Sequence, residues 1–344
     1  MKKVLLIGFG LLFALVSNAN PAADYQLVWN MDFTGASLNS DAFNIEVNGD
    51  GGGNNELQYY CEKGVSLGVE PTTGKHCLIL TATKENYQGK TCTSGRVNTK
   101  NKVTFTYGKV EARIRFPQTA NGLWPAFWMM GNNYDRVGWP RCGELDIIEL
   151  GHQDGIKNGT QDRYFNGAMH LGSAWNSVWS DAQSTTYGYP VEDGFHTISC
   201  EWTPTTVEMF IDKDIYPNVQ PYFHADLEPN DNDDYNRQLV WSKPYFIIFN
   251  LAIGGNFPGI YDINGITALQ GGSRAMYIDY LRIYQRGDVG ETFESTVASE
   301  PIEDATAIQT PSVEDLTRKV LHNGEIRILY KGSEYTILGE KINE

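Results

Sequence analysis

Glu144, Asp146 and Glu149 place three carboxylates in the otherwise apolar segment Gly143-Glu144-Leu145-Asp146-Ile147-Ile148-Glu149. Carboxylates grouped in this way can break an acetal bond. One attacks the anomeric carbon; the other, kept protonated by burial and neighbouring negative charge, protonates the leaving oxygen and later activates water. The residues alone leave open which of Glu144 and Glu149 takes which part. Asp146 is read as the group that hydrogen-bonds the nucleophile and helps hold the acid's pKa up.

That chemistry requires all three side chains on one surface. On a regular strand Glu144 and Asp146 share a face, while Glu149, five positions from Glu144, points away. If Ile147 and Ile148 together oppose one residue of the neighbouring strand, the resulting β-bulge restores the parity. The glutamate Cα atoms then lie roughly 13 Å apart at ~3.3 Å per residue, and the long side chains can lean together. A carboxyl separation of about 5–5.5 Å would suit retention of configuration. The competing reading, a solvated acidic sheet face, is disfavoured by the apolar Leu145, Ile147 and Ile148 and by the run Leu123-Trp124-Pro125-Ala126-Phe127-Trp128 upstream.

The elements that must position these groups are strands. From Tyr25 to about Gln285 short alternating runs are broken by turn residues, clearest where Val110, Ala112, Ile114 and Phe116 alternate with Lys109, Glu111, Arg113 and Arg115. Leu78-Ile79-Leu80 and Tyr245 to Leu251 are apolar at successive positions, as expected of central strands covered on both faces. The 35 glycines and 14 prolines favour turns over long helices. The expectation is an all-β sandwich of two packed antiparallel sheets, with polar loops such as Asn48 to Asn55 and Gly151 to Gly167 shaping a binding surface.

The motifs together resemble glycoside hydrolase family sixteen, in its laminarinase-like branch. Gly143 to Glu149 is similar to that family's bulged E-x-D-x-x-E signature, and Gly122 to Trp128 to its aromatic strand. Supporting stretches are Leu27 to Phe33, Gly53 to Tyr60, Phe195 to Asp212, Asn250 to Asn256 and Met276 to Tyr284. The resemblance covers about residues 26 to 285. It implies a β-jelly-roll with a concave substrate cleft and a retaining mechanism that needs no cofactor, with Glu144 as nucleophile, Asp146 as its helper and Glu149 as general acid/base. It carries sugar-binding roles onto Asn54, Arg96, Trp124 and Trp128, and a place beside the acid/base onto His170. A structural role remains open for each of these, such as core packing for Trp128 or an ion pair for Arg96. The resemblance also implies a structural Ca²⁺ held by Asp32 and Asp279, although Met31 precedes Asp32 where an acidic pair is usual.

Partners are bounded by charge and aromatic content. A net charge of -15 without a basic cluster opposes nucleic acid and sulfated polymers, so a neutral polymer fits better. Eight Trp and 19 Tyr supply flat faces that can stack on sugars. The expected activity is endo-hydrolysis of β-1,3-glucan by a monomer. Mixed-linkage β-1,3(4)-glucan is the rival substrate, and a non-catalytic β-glucan-binding protein or a transglycosylase are alternative functions. Retention of all three carboxylates argues against a pure binder.

Lys2 and Lys3, the apolar Val4 to Val16 and the small-residue site Ser17-Asn18-Ala19 read as an export signal over residues 1–19, leaving no membrane span after cleavage. A secreted, cell-surface or periplasmic location follows. Export makes Cys61, Cys77, Cys92, Cys142 and Cys200 disulfide candidates, their odd number leaving at least one unpaired; some could equally be plain buried thiols. After a catalytic domain over 20–287, the stretch Asp288 to Asp315 holds eight acidic residues and neither Lys nor Arg, and reads as a solvated linker over 288–316. A small β-hairpin module over 317–344 completes the chain. Its segment Val320 to Ile342 resembles the C-terminal sorting segments of the bacterial type nine secretion route.

Overall fold

The computed structural model describes residues 24–227 and 240–302, together with the backbones of strands Arg318–His322, Glu325–Tyr330 and Ser333–Tyr335. The export signal expected over 1–19, the linker residues 303–316 and the terminal residues 336–344 lie outside the described residues.

Two large sheets form the body. The site-bearing sheet runs, in spatial order, Ser177–Thr186, Tyr164–Ala174, Glu144–Leu150, Leu123–Gly131, Tyr245–Ile253, Arg96–Asn98 and Asn44–Ile45. Its partner is centred on Gly108–Arg115, flanked by His196–Trp202 and Arg274–Gln285. Almost every pairing is antiparallel; Tyr59–Tyr60 beside Lys90–Ser94 is parallel. Two large, mainly antiparallel sheets are the expected all-β jelly-roll sandwich.

The pleat sorts side chains between core and cleft. In Leu123–Gly131, Leu123, Phe127 and Met129 are fully buried in the main core, while Trp124, Ala126, Trp128 and Met130 face the cleft. Tyr245–Ile253, expected to be covered on both faces, obeys the same parity. Tyr245, Ile247, Phe249, Leu251 and Ile253 enter the main core, whereas Phe246 and Ile248 join Met130 and Cys142 in a second small cluster. These cleft-side residues are covered by Trp128 of the neighbouring strand and by Val137 and Trp139 of the short helix and loop that precede Glu144.

One expectation needs correction, and one open alternative falls to the buried-thiol side. Residues 288–302 are not free linker: Thr292–Ser295 pairs with Val103–Thr106, and Glu300 accepts from Asp32 N at 2.8 Å while donating its own amide to Asn30 O at 2.9 Å. Acidity obscured a short alternating strand whose backbone pairing satisfies its polar groups. The cysteines form no disulfides either; all five are buried free thiols. The C-terminal strands make a three-stranded antiparallel sheet.

Candidate active site

The bulge lies where parity demands it. Against Tyr164–Ala174, Glu144 faces His170, Asp146 faces Ala168 and Glu149 faces Asn166, so Ile147 and Ile148 together oppose only Gly167. Both isoleucines are 0% exposed. Burying each contributes about 1.5–3 kcal/mol relative to exposure, so the extra residue is held by the core and not looped out. The three carboxylates therefore line one cleft of about 410 Å³ with Asn54, Arg96, Trp124 and Trp128.

Each glutamate has its own surroundings. Glu149 is gripped at both oxygens: Trp124 Nε1 donates to Oε1 at 2.9 Å and Asn166 Nδ2 to Oε2 at 3.0 Å. Burial raises the Glu149 pKa, and these two donors, Asn166 first, oppose the rise by favouring the charged form. Glu144 lies deeper in negative field; burial, then the charge of Asp146, pushes its pKa well above the carboxylate range. Asp146 is raised by burial and by Glu149, and a hydrogen bond with Glu144 opposes that rise. Three such groups hold more protons near neutrality than three isolated carboxylates, which lets one act as an acid while another attacks.

His170 sits behind Asp146, with Nε2 3.1 Å from Oδ2 and Nδ1 2.6 Å from Ser180 Oγ. Its two ring contacts fix the imidazole beside the aspartate. Glu144, Asp146 and His170 also bring one ligand atom each within 4.8 Å of one another. A divalent ion held there would occupy the groups the acid/base chemistry uses.

Of the sugar-binding candidates, Asn54, Arg96, Trp124 and Trp128 line the cleft, and His170 does not appear in its lining. Arg96 Nε donates to Glu46 Oε1 at 2.9 Å, and Asn98 Nδ2 donates to the same oxygen at 2.8 Å. The guanidinium lies 4.9 Å from the Trp128 ring centroid, and Trp128 Nε1 donates to Asn250 Oδ1 at 2.6 Å. Arg96 thus has the structural ion pair and a place in the cleft at once. Trp124 stacks on Phe257 with centroids 4.6 Å apart and planes 9° from parallel. Asn54 lines the cleft from the glycine-rich loop.

Glu46, Glu56, Asn166, Asn250, Tyr134, Trp139 and Trp175 also serve the site, and the sequence did not single them out as site residues. Asn250 sits at a cleft-facing position inside an apolar strand, a polar interruption that parity could have flagged. Asn166 and the loop tryptophans carry no comparable pattern.

The Ca²⁺ expectation does not fit the residues present. Asp279 Oδ2 accepts from Arg113 Nη1 at 2.6 Å, and Asp32 Oδ1 lies 3.5 Å from Arg282 Nη2. A Ca²⁺ site gathers about six to eight oxygens, and here guanidinium groups already neutralise both aspartates.

Comparison with known proteins agrees with this geometry. The sequence profile of glycosyl hydrolases family 16 matches residues 54–228. A glucan endo-1,3-beta-glucosidase of Cryptopygus antarcticus is 35% identical over 261 residues, covering 73% of this chain and 88% of that protein. The clotting factor G alpha subunit of Tachypleus tridentatus is 33% identical over 262 residues, 76% of this chain, which spans 34% of that longer protein. Among solved structures, a Bacteroides ovatus mixed linkage glucan GH16 in complex with a G4G4G3G product superposes with a TM-score of 0.64 at 36% identity, covering 75% of this chain and all of that one. By profile, by relatives matched over most of their length and by fold, the chain belongs to glycosyl hydrolases family 16.

Proposed function

We propose that this family 16 endo-β-glucanase cuts internal β-1,3 bonds with retention of configuration, Glu144 attacking and Glu149 serving as acid/base. The observation that carries the proposal is the bulge, which turns Glu144, Asp146 and Glu149 onto one cleft face beside Arg96, Trp124 and Trp128. With sugar bound, the Glu149 proton passes to the glycosidic oxygen as Glu144 forms a covalent bond to the anomeric carbon. Water then attacks that carbon and gives its proton to Glu149, and the Glu144 carboxylate leaves. Donors from Trp124 and Asn166 fix the Glu149 carboxyl plane through both steps. Asp146, held by His170, exchanges a hydrogen bond with Glu144 and so holds the nucleophile's carboxyl group in place through both steps.

The 35% identical Cryptopygus antarcticus protein, named a glucan endo-1,3-beta-glucosidase, supports the β-1,3 reading. The Bacteroides ovatus mixed linkage glucan structure favours a second reading, in which mixed-linkage glucan is also cut. Action as an exported monomer completes the proposal; among the described residues no helix is long and apolar enough to cross a membrane.

Product analysis on laminarin, curdlan, barley mixed-linkage glucan and carboxymethyl cellulose tests these readings, with E144A beside the wild type. Laminarin cleavage giving β-anomeric products by early-time NMR, and lost in E144A, is expected. Barley products report whether mixed linkages are also accepted. Tight laminarin binding without cleavage of any of the four would make the chain a β-glucan binder and remove the mechanism.

A further inference from the structure

Two walls of the cleft that holds the carboxylates approach each other closely. One is the loop Gly51-Gly52-Gly53, whose residues all have positive φ, at +81°, +58° and +75°. It is tied to the Leu123/Ile253 end of the sheet, where Asn256 N donates to Asn54 O at 2.8 Å and Leu57 N to Ile253 O at 2.8 Å. The other wall rises at the opposite strand ends, beside Gly131 and Glu144. There Trp139 follows the helix Tyr134–Val137, and Trp175 occupies the turn between strands Tyr164–Ala174 and Ser177–Thr186. Their rings lie 4.4 Å apart, and Arg141 Nε ties the two segments together through Ser173 O at 2.6 Å.

From that far side Trp175 reaches the glycine loop. A methyl group placed on Gly53 would stand 4.0 Å from Trp175 Cη2, which is ordinary contact distance. The space between the walls therefore holds one methyl group and is too narrow for a sugar ring to pass. Gly52, Gly53, Trp139 and Trp175 line the same cleft as Glu144, Asp146 and Glu149, so the narrow gap belongs to the cleft that holds the working groups. Glycine at the loop tip leaves this room. Its left-handed backbone is one that residues with side chains rarely adopt.

We infer that Trp175, propped by Trp139 and meeting Gly53, is a strap across the cleft that makes this enzyme select unbranched stretches of β-glucan; the inference rests on the β-glucanase reading above. A chain beneath the strap has no outlet for a substituent pointing away from the sheet, so a 6-O-glucosyl branch on that ring collides with the indole. Trp175 is 72% exposed and packs its ring on Trp139, so the strap can lift to admit a polymer and settle again. It is a specificity-determining residue whose removal leaves the carboxylates and the Arg96 patch untouched.

The test compares kcat/KM on soluble carboxymethyl curdlan, which lacks branches, with that on a β-1,3-glucan carrying a 6-O-glucosyl branch on every third residue. The wild type is expected to prefer the linear polymer at least ~10-fold. W175A should shrink that preference at least ~5-fold by gaining on the branched polymer, and W139A should shift it in the same direction. An unchanged melting temperature in W175A would show that the scaffold is intact. Equal preference in wild type and W175A, or an equal loss on both polymers, overturns the strap while leaving the β-glucanase reading standing. Cleavage of neither polymer by the wild type overturns both.

Discussion

Trp124 and Glu149 are joined by a 2.9 Å hydrogen bond from the indole Nε1 to Oε1, while the same indole lies flat on Phe257. One side chain thus holds the proposed acid and presents its ring edge to the cleft. W124F keeps a ring against Phe257 and removes the donor. That bond lowers the Glu149 pKa against the larger effect of burial, so its loss moves the pKa further up. The protonated acid then persists to higher pH, and the limb on which kcat/KM falls with rising pH moves upward. A hydrogen bond to a charged group is worth about 1.5–3 kcal/mol, so kcat/KM at the optimum should drop roughly 10- to 100-fold. A pH profile of W124F whose alkaline limb coincides with the wild type would show that this bond does not tune the acid.

Asp146 acts in the opposite sense on Glu144. Burial is the main cause of the raised Glu144 pKa and the Asp146 charge is the next. D146N removes that charge while preserving shape, so Glu144 ionises more readily. The nucleophile must be ionised to attack, and the acid-side limb of the profile therefore shifts to lower pH. At the optimum kcat should fall about tenfold or more, since the amide no longer offers the carboxyl group that hydrogen-bonds Glu144 and fixes its position for attack. Profiles of D146N and wild type measured side by side decide it; an acid limb displaced to higher pH would contradict the assignment of Glu144 as the titrating nucleophile.

Arg113 and Arg282 yield a stability prediction. Because Asp279 and Asp32 are paired with these guanidinium groups, thermal unfolding should be the same within about 1 °C in EDTA and in millimolar Ca²⁺. A binding site filled at 100 times its Kd would add about 2.7 kcal/mol, several degrees for a chain of this size. Scanning calorimetry would reveal such a shift directly, and a Ca²⁺-dependent rise would restore the metal site.

Legibility in the sequence followed the strength of local constraint. The bulge could be read because three carboxylates in an apolar strand make sense only on one face, and parity then required the extra residue. Trp124, Trp128 and Arg96 sit on regular strands, where alternation and motif fix their direction, and the cleft gathers them. Asn166, which holds Glu149, is one asparagine on a neighbouring strand. Its importance comes from register, which sequence alone did not supply. The Trp175 strap joins two loops through contacts that obey no period. Thr292–Ser295 was masked because its acidic surroundings suggested solvation, although edge strands tolerate charge well. Asp32 and Asp279 were placed by resemblance, and the arginines that occupy them are distant in sequence.

The bulge itself gives the sharpest test of the mechanism, because adding and removing a residue have opposite consequences. Glu149 is five positions from Glu144 and shares its face only because Ile147 and Ile148 oppose Gly167 alone. Deleting Ile147 leaves the glutamates four positions apart on a regular strand, which also puts them on one face. That variant loses a fully buried isoleucine, at a cost of about 2–5 kcal/mol by analogy with truncation to alanine, yet it keeps the carboxylates directed into the cleft. Measurable glucan cleavage should survive below the lowered melting temperature. Inserting an alanine between Ile147 and Ile148 instead makes the separation six, with one residue more than the bulge accommodates. If the strand keeps its present bulge, the added residue turns Glu149 toward the core, where its charge has no partner. Cleavage should then fall below detection. Assaying both variants with circular dichroism as the control for folding separates geometry from stability: a folded deletion variant that cuts no glucan would remove the parity argument, whereas a folded insertion variant that still cuts would mean that the strand has exchanged its bulge for a regular six-residue spacing.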